Sequence, residues 1–326
     1  MRAFQYANPG TLEDAIALLQ EGGAAAAALA GGTDLLSLMK DDVERPERLV
    51  NLKSIASMRG IGRGAGGVLR IGALATIDEL LASPGAAAHP ALAHAAEGIR
   101  SPQLRAMGTV GGELLQRPRC WYYRAGFGLL ARRDGRSMVE DGDNRYHAIL
   151  GTRGPAWFVH ASSLAPPLCA LGARVKIAGP NGERELPLQE LYRVPARDGE
   201  REHTLGTAEI LTEILVPATA VRCATYEVRQ REALDWPLAA AAAALELDGE
   251  TVTAARIVLG HVAPTPFEAS EAAAALVGKA LSDETVAAAG DAAVARARPL
   301  SHNAYKVQLA RVATRRALLA AASRKV

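Results

Sequence analysis

Two glycine-rich segments about eighty residues apart restrict this chain more than any other feature: Ala30-Gly31-Gly32-Thr33-Asp34-Leu35 and Gly108-Thr109-Val110-Gly111-Gly112-Glu113-Leu114. In each, glycine lets backbone approach a ligand closely, a threonine adds a hydroxyl, and a helical start presents N–H groups that attract negative charge. Either segment alone reads equally as an ordinary strand-to-helix turn. Together they point to a bipartite cradle for a pyrophosphate. A third run, Gly62-Arg63-Gly64-Ala65-Gly66-Gly67, only imitates a dinucleotide fingerprint, because it precedes an apolar strand instead of following one and opening a helix. It is expected to be a surface turn.

The segments around these loops alternate in period. Thr11-Leu12-Glu13-Asp14 has the form of a capping box, and Leu12, Ala15, Ile16 and Leu19 follow on one helical face. Residues 24–29 are too short between Gly23 and Gly31 for a helix, so despite their alanines they are expected to form a buried strand. Further strands are expected at 49–52 and 68–71, and helices at 76–81 and 90–99, which makes the first hundred residues an α/β unit. A basic, aromatic stretch, Arg117-Pro118-Arg119-Cys120-Trp121-Tyr122-Tyr123-Arg124, then opens a long segment without clear periodicity. The simplest expectation for the cluster from Arg117 to Arg136 is a solvated or subunit-facing surface. A hairpin follows at 173–188 around Gly179-Pro180-Asn181-Gly182, a strand at 210–216 stopped by Pro217, and three strands at 224–231, 237–247 and 251–262. The remainder is alanine-rich and helical, and boundaries fall near residues 58 and 220.

Several classes of function drop out. Thirty-seven basic against thirty-five acidic residues leave a formal charge of +2, too little for the broad positive field of a nucleic-acid binder. No apolar run approaches the ~20 residues that cross a bilayer, and the N-terminus has neither a secretory apolar run nor a twin-arginine pair, so cytoplasmic residence is expected. Three cysteines, Cys120, Cys169 and Cys223, show no C-x-x-C spacing. No acid-base pair or nucleophile argues for independent chemistry.

Phe4-Gln5-Tyr6, the first glycine loop, Asn51-Leu52, Ile71-Gly72-Ala73 with Thr76, and the second glycine loop occur here in the order of a known family. Continuing through Ile210-Leu211-Thr212-Glu213-Ile214, Arg229-Gln230-Arg231-Glu232 and Leu234-Asp235-Trp236-Pro237-Leu238, essentially the whole chain resembles the FAD-binding medium subunit of molybdenum hydroxylases, the xanthine, aldehyde and carbon monoxide dehydrogenases. The 117–124 block with Asn144-Arg145-Tyr146-His147-Ala148-Ile149 is most similar to the branch whose flavin subunit carries a [4Fe-4S] insertion. The resemblance implies an α+β chain: a two-subdomain FAD-binding fold of the vanillyl-alcohol oxidase type (1–58 and 59–219, with the insertion at about 117–147) and a small C-terminal α+β domain (220–326). It implies that Ala30, Gly31, Gly32, Thr33, Asp34, Gly108, Thr109, Gly111 and Gly112 clasp the FAD pyrophosphate. Thr76 is similar to a threonine close to the flavin and is equally a helix N-cap. Leu211 looks like the aliphatic residue near the adenine and is equally a core residue. The implied partners are a molybdopterin-binding large subunit and a [2Fe-2S] small subunit, with NAD or oxygen as acceptor.

The departures from the family pattern are specific. A [4Fe-4S] cluster needs four thiolates, and the insertion keeps Cys120 alone, with Leu129 or Leu130 and Met138 near positions where the family has cysteine. No cluster is expected, and Cys169 and Cys223 are expected to be small core residues. Glu113 stands where the family usually has Asn, Ser163 where it has Asp, and Glu227 where it often has Lys. His147 and His160 are expected to be hydrogen-bonded structural histidines or polar contacts near the site. Three functions remain open at this level: an electron-transfer flavoprotein subunit, a stand-alone flavoenzyme acting on a small molecule, and a scaffold on the same fold with weak or no FAD binding.

Overall fold

The computed structural model describes residues 1–218, 220–231 and 235–323. Residue 219 and the motif residues Glu232 and Leu234 lie outside the described residues. A first, three-stranded parallel sheet has the order β1-β3-β2, built from β1 (Gln5–Ala7), β2 (Ala26–Leu29) and β3 (Arg48–Asn51). Helix α1 (Leu12–Gly22) packs on it through Ala15 and Leu19, its start capped by the Thr11 hydroxyl, which accepts from the Asp14 N–H. α2 (Leu35–Lys40) begins directly after the first glycine loop.

The chain then forms the antiparallel pair β4 (Ile61–Arg63) and β5 (Leu69–Gly72), and the glycine-rich run is the exposed turn between them. Short helices α3 (Ile77–Ala82), α4 (Pro84–Ala87), α5 (Pro90–Glu97), α6 (Pro102–Met107) and α7 (Val110–Leu114) follow, the last carrying the second glycine loop. The insertion holds one π-helical turn at Tyr123–Phe127 and a small hairpin, β6 (Arg132–Arg133) with β7 (Arg136–Ser137). After α8 (Ala165–Ala170), the strands β8 (Arg174–Gly179), β9 (Gly182–Pro187) and β10 (Ile210–Val216) complete a second sheet of order β4-β5-β10-β8-β9. The expected hairpin is therefore β8-β9, turning on Pro180-Asn181 into Gly182 at φ +98°.

A third sheet, β11 (Arg222–Val228), β12 (Ala239–Asp248), β13 (Thr251–Gly260) and β14 (Phe267–Glu268), is covered by α9 (Ser270–Ala274), α10 (Asp283–Val294) and α11 (Tyr305–Ala322). The alanine run in β12 is explained by packing on both faces. Ala242 and Ala244 join the core shared with the second sheet, whereas Ala239, Ala241 and Ala243 join the core under α10 and α11. Only a small side chain fits a strand closely packed on each side, so tertiary context overrides alanine's helical preference.

One buried cation ties this last unit to the insertion. Lys306 on α11 donates to the carbonyls of Tyr146 (3.1 Å), His147 (3.1 Å) and His261 (2.8 Å), one acceptor for each ammonium hydrogen. Burial pulls its pKa down to about 7, while the three carbonyls favour the proton. Asn144, fully buried, accepts from the His302 N–H and donates to Ser301, and so fastens the same segment. Lys306→Met, which keeps the volume but leaves the Tyr146 and His261 carbonyls without a donor while His147 keeps the Asn303 amide, is expected to cost about 2 kcal/mol and lower Tm by about 4–8 °C in a thermal melt.

Candidate functional site

The two glycine loops, separate in sequence, lie against each other in space. A Cβ built on Gly31 would stand 1.9 Å from the Met107 carbonyl oxygen and 3.3 Å from the Gly108 Cα, and one on Gly108 would come within 3.7 Å of the Thr33 hydroxyl. Gly32 has φ +76°, a left-handed conformation that favours glycine. The N–H groups of Gly31, Gly32, Thr33 and Asp34 donate to no acceptor among the described residues. Backbone donors left open in this way at the start of α2 are the ordinary means of holding a pyrophosphate.

The second loop is built differently. Val110 and Gly111 donate to the carbonyls of Ala75 (2.8 Å) and Ala73 (2.9 Å), Gly112 donates to the Thr109 hydroxyl (3.1 Å), and Ile77 donates to the Gly108 carbonyl (3.0 Å). Its glycines therefore serve close packing: a Cβ on Gly111 would stand 2.8 Å from that of Ala73, and one on Gly112 would stand 2.9 Å from the Thr109 hydroxyl. Thr76 pairs with Thr109 in an antiparallel bridge and caps α3 with a complete capping box, its hydroxyl accepting from Glu79 N–H and its own N–H donating to the Glu79 carboxylate. The structure thus brings residues 31–34, 76 and 108–112 together. Ala30, partly buried, leads from β2 into the first loop, and its carbonyl accepts from the Lys53 ammonium at 3.1 Å. Leu211 lies in β10 opposite Ile177, in the same hydrophobic core as Val110 and Leu114 of α7.

Asp34 is spent on the insertion. Its carboxylate accepts from the Arg117 N–H (2.7 Å) and pairs with Arg119 (3.0 Å) and Arg124 (2.7 Å). Arg117 in turn pairs with Glu44 and Glu202, both at 2.6 Å, and Arg119 stacks 4.3 Å over the Trp236 ring. The expectation of a solvated or subunit-facing surface is therefore corrected for Arg117, Arg119 and Arg124, which are partly buried on acidic partners; Arg132, Arg133 and Arg136 are exposed as expected. Those partners sit about 75 to 90 residues away in sequence, so no local signal could announce them.

The insertion's chemistry does not fit an iron–sulfur cluster. Leu130 is buried with Cys120, Tyr123, Ala156 and Phe158 in an apolar cluster against which Leu129 packs, where a single thiol stands among side chains that offer no further thiolate. Cys120 packs 3.1 Å from the His147 Nε2, and burial raises the thiol to about 11 while lowering the imidazole to about 4, so both are neutral. Cys169 and Cys223 are buried core residues, as expected. His160 is buried, accepts from the Ser162 N–H and is lowered to about 3 by desolvation, a structural histidine.

Two of the three departures from the family pattern touch directly. The Glu113 carboxylate accepts from the Ser162 hydroxyl and from the Ser163 N–H at 2.8 Å. Burial raises its pKa to about 7 against these bonds, and the Glu227 charge adds to the rise. Glu227 itself pairs with Arg229, over Gly98.

Comparison with known proteins identifies the family. Residues 2–219 match the FAD-binding domain in molybdopterin dehydrogenase, and residues 224–321 match the CO dehydrogenase flavoprotein C-terminal domain. The chain is 33% identical over 327 residues to the carbon monoxide dehydrogenase medium chain of Hydrogenophaga pseudoflava, covering 98% of each protein. It is 31% identical over 316 residues to the aldehyde oxidoreductase FAD-binding subunit of Escherichia coli (strain K12), covering 95% of this chain and 96% of that one. Among solved structures, the carbon monoxide dehydrogenase from Hydrogenophaga pseudoflava lacking the Mo-pyranopterin moiety superposes with a TM-score of 0.77 at 31% identity, over 98% of this chain and 97% of the other. Quinoline 2-oxidoreductase from Pseudomonas putida 86 gives 0.75 at 26% identity over the same shares. The chain belongs to the family of FAD-binding medium subunits of molybdenum hydroxylases, the flavoprotein subunits of molybdopterin-containing dehydrogenases.

Proposed function

We propose that this chain is the electron-transfer flavoprotein subunit of a cytoplasmic complex with a molybdopterin-binding large subunit and a [2Fe-2S] small subunit, and that it passes electrons from that small subunit to an external acceptor, NAD or oxygen. The observation that carries the reading is the contact of two glycine loops around four undirected backbone N–H groups. FAD, when bound, supplies the redox chemistry. The chain's part is to hold and orient it. Gly31, Gly32, Thr33 and Asp34 would hold the pyrophosphate through backbone N–H groups, with Ala30 leading into the loop. Gly108, Thr109, Gly111 and Gly112 would form the opposing wall, Thr76 would lie close to the flavin, and Leu211 would pack near the adenine. Leu36, Leu104 and Met107 are exposed beside these loops, an apolar rim that suits a partner subunit. Among the described residues no helix is long and apolar enough to cross a membrane.

The purified chain is expected to be yellow, to contain one FAD, and to lack broad iron–sulfur absorption. Expressed with its neighbours, it is expected to co-purify with a molybdopterin subunit and a [2Fe-2S] subunit. A colourless chain that cannot be reconstituted with FAD overturns the reading, whereas a yellow chain active without partners points to a stand-alone flavoenzyme.

A further inference from the structure

We infer that Glu113 is a positioning residue for the cofactor: it fastens the second glycine loop to the start of α8, and its ionisation weakens the hold of the two paired loops on an anionic ligand. The inference rests on FAD as the ligand of the glycine loops. Glu113 directly follows Gly111-Gly112, and its side chain reaches the 162–163 segment, where the Ser162 hydroxyl and the Ser163 N–H both donate to it. Ser162 is fully buried, and its oxygen accepts from the Ala165 N–H at 2.9 Å, so the same hydroxyl that binds Glu113 also caps α8. One carboxylate therefore sets the distance between α7 and α8.

Among the described residues, charged and titratable groups approach it from several elements. On its own turn Gln116 donates to it at 3.2 Å. Glu227 from β11 faces it with a like charge, held by Arg229. Arg119 from the insertion attracts it but is already paired with Asp34 of the first loop. Tyr192 and the neutral His160, stacked edge-on at 4.4 Å, complete the surroundings. No cation is left to neutralise Glu113 alone among these described neighbours. Once ionised it adds a negative charge one residue from the loop that would face the pyrophosphate, where Coulomb repulsion is weakly screened. Since burial sets its ordinary proton loss near pH 7, the two charge states exchange across the working range. Bound FAD favours the protonated form, so binding takes up a proton and affinity falls as pH rises above 7.

The test is a titration of the FAD-free full chain with FAD, followed by flavin fluorescence, at pH 6, 7 and 8. The wild-type Kd is expected to rise about tenfold from pH 6 to pH 8, the scale of one coupled proton. Glu113→Gln keeps the volume and an acceptor for the Ser163 N–H, and is expected to match the wild type at pH 6 and stay flat to pH 8. Ser162→Ala removes a hydrogen bond that favours the ionised form, and is expected to move the wild-type midpoint to higher pH. Parallel profiles for wild type and Glu113→Gln, or an unmoved midpoint in Ser162→Ala, overturn the inference and leave FAD binding standing. A wild-type chain that melts cooperatively yet takes up no FAD at any pH overturns the cofactor reading and this inference with it.

Discussion

Gly31→Ala is expected to weaken FAD binding by at least about a hundredfold and to lower Tm by about 5 °C. The reason is contact with backbone rather than loss of conformational freedom, because Gly31 does not occupy the left-handed region. The added methyl would stand 1.9 Å from the Met107 carbonyl oxygen and 2.8 Å from its carbon, and no side-chain rotation relieves a clash between two main-chain segments. The loops must separate, which moves the open N–H groups of residues 31–34 away from the wall formed by residues 108–112. An overpacked contact typically costs about 1–3 kcal/mol of stability, and the loss of a preorganised ligand cradle adds to the binding cost. Gly62→Ala is the control. Its position is extended, and a Cβ there meets nothing within 4 Å, so Tm and FAD affinity are expected to stay at wild-type values. Isothermal titration with FAD and a melt of both variants check the pair. Wild-type affinity in Gly31→Ala would separate the loops from cofactor binding altogether.

These two glycines show what the sequence could and could not reveal. Both stand in glycine-rich runs, and the order of strand and helix around each run was enough to separate a loop that opens a helix from a hairpin turn. Strand β12 was legible as one of three consecutive expected strands even though alanine disfavours strands, but its two-faced packing depends on α8 and α11, which only the tertiary structure supplies. The N-cap at Thr76 is a local pattern and forms as read, whereas the hydrogen bonds that consume the second loop's N–H groups come from Ala73 and Ala75, thirty-odd residues earlier, and leave no mark in the sequence. The same holds for Glu113. Residues 113, 163 and 227 read as three separate substitutions, and the fold places the first against the second and within electrostatic reach of the third. The family resemblance located the loops; long-range contacts decided what each residue in them does.

Asp34→Ala separates those two levels most clearly, and its largest effect is expected on stability rather than on cofactor contact. The carboxylate is only 15% exposed and holds two arginines and one N–H of the insertion. Removing it leaves Arg119 and Arg124, themselves mostly buried, without their carboxylate partner, and breaking a buried pair from one side costs about 3–5 kcal/mol. For a chain of this size that is a fall in Tm of about 10 °C. Arg119 keeps its stack on Trp236 and its bond to Gln116, and Arg124 keeps the Pro118 carbonyl, so the 117–124 segment is expected to loosen and to become the first site of limited tryptic cleavage. Asp34→Asn retains an acceptor for the Arg117 N–H while losing the charge, and is expected to fall between the two. Because the pyrophosphate would be met by the Asp34 N–H and not by its side chain, FAD affinity in Asp34→Ala at low temperature, where the chain remains folded, is expected to drop by no more than about tenfold. The opposite pattern, an unchanged Tm with FAD binding abolished, would assign the carboxylate to the cofactor and remove it as the anchor of the insertion.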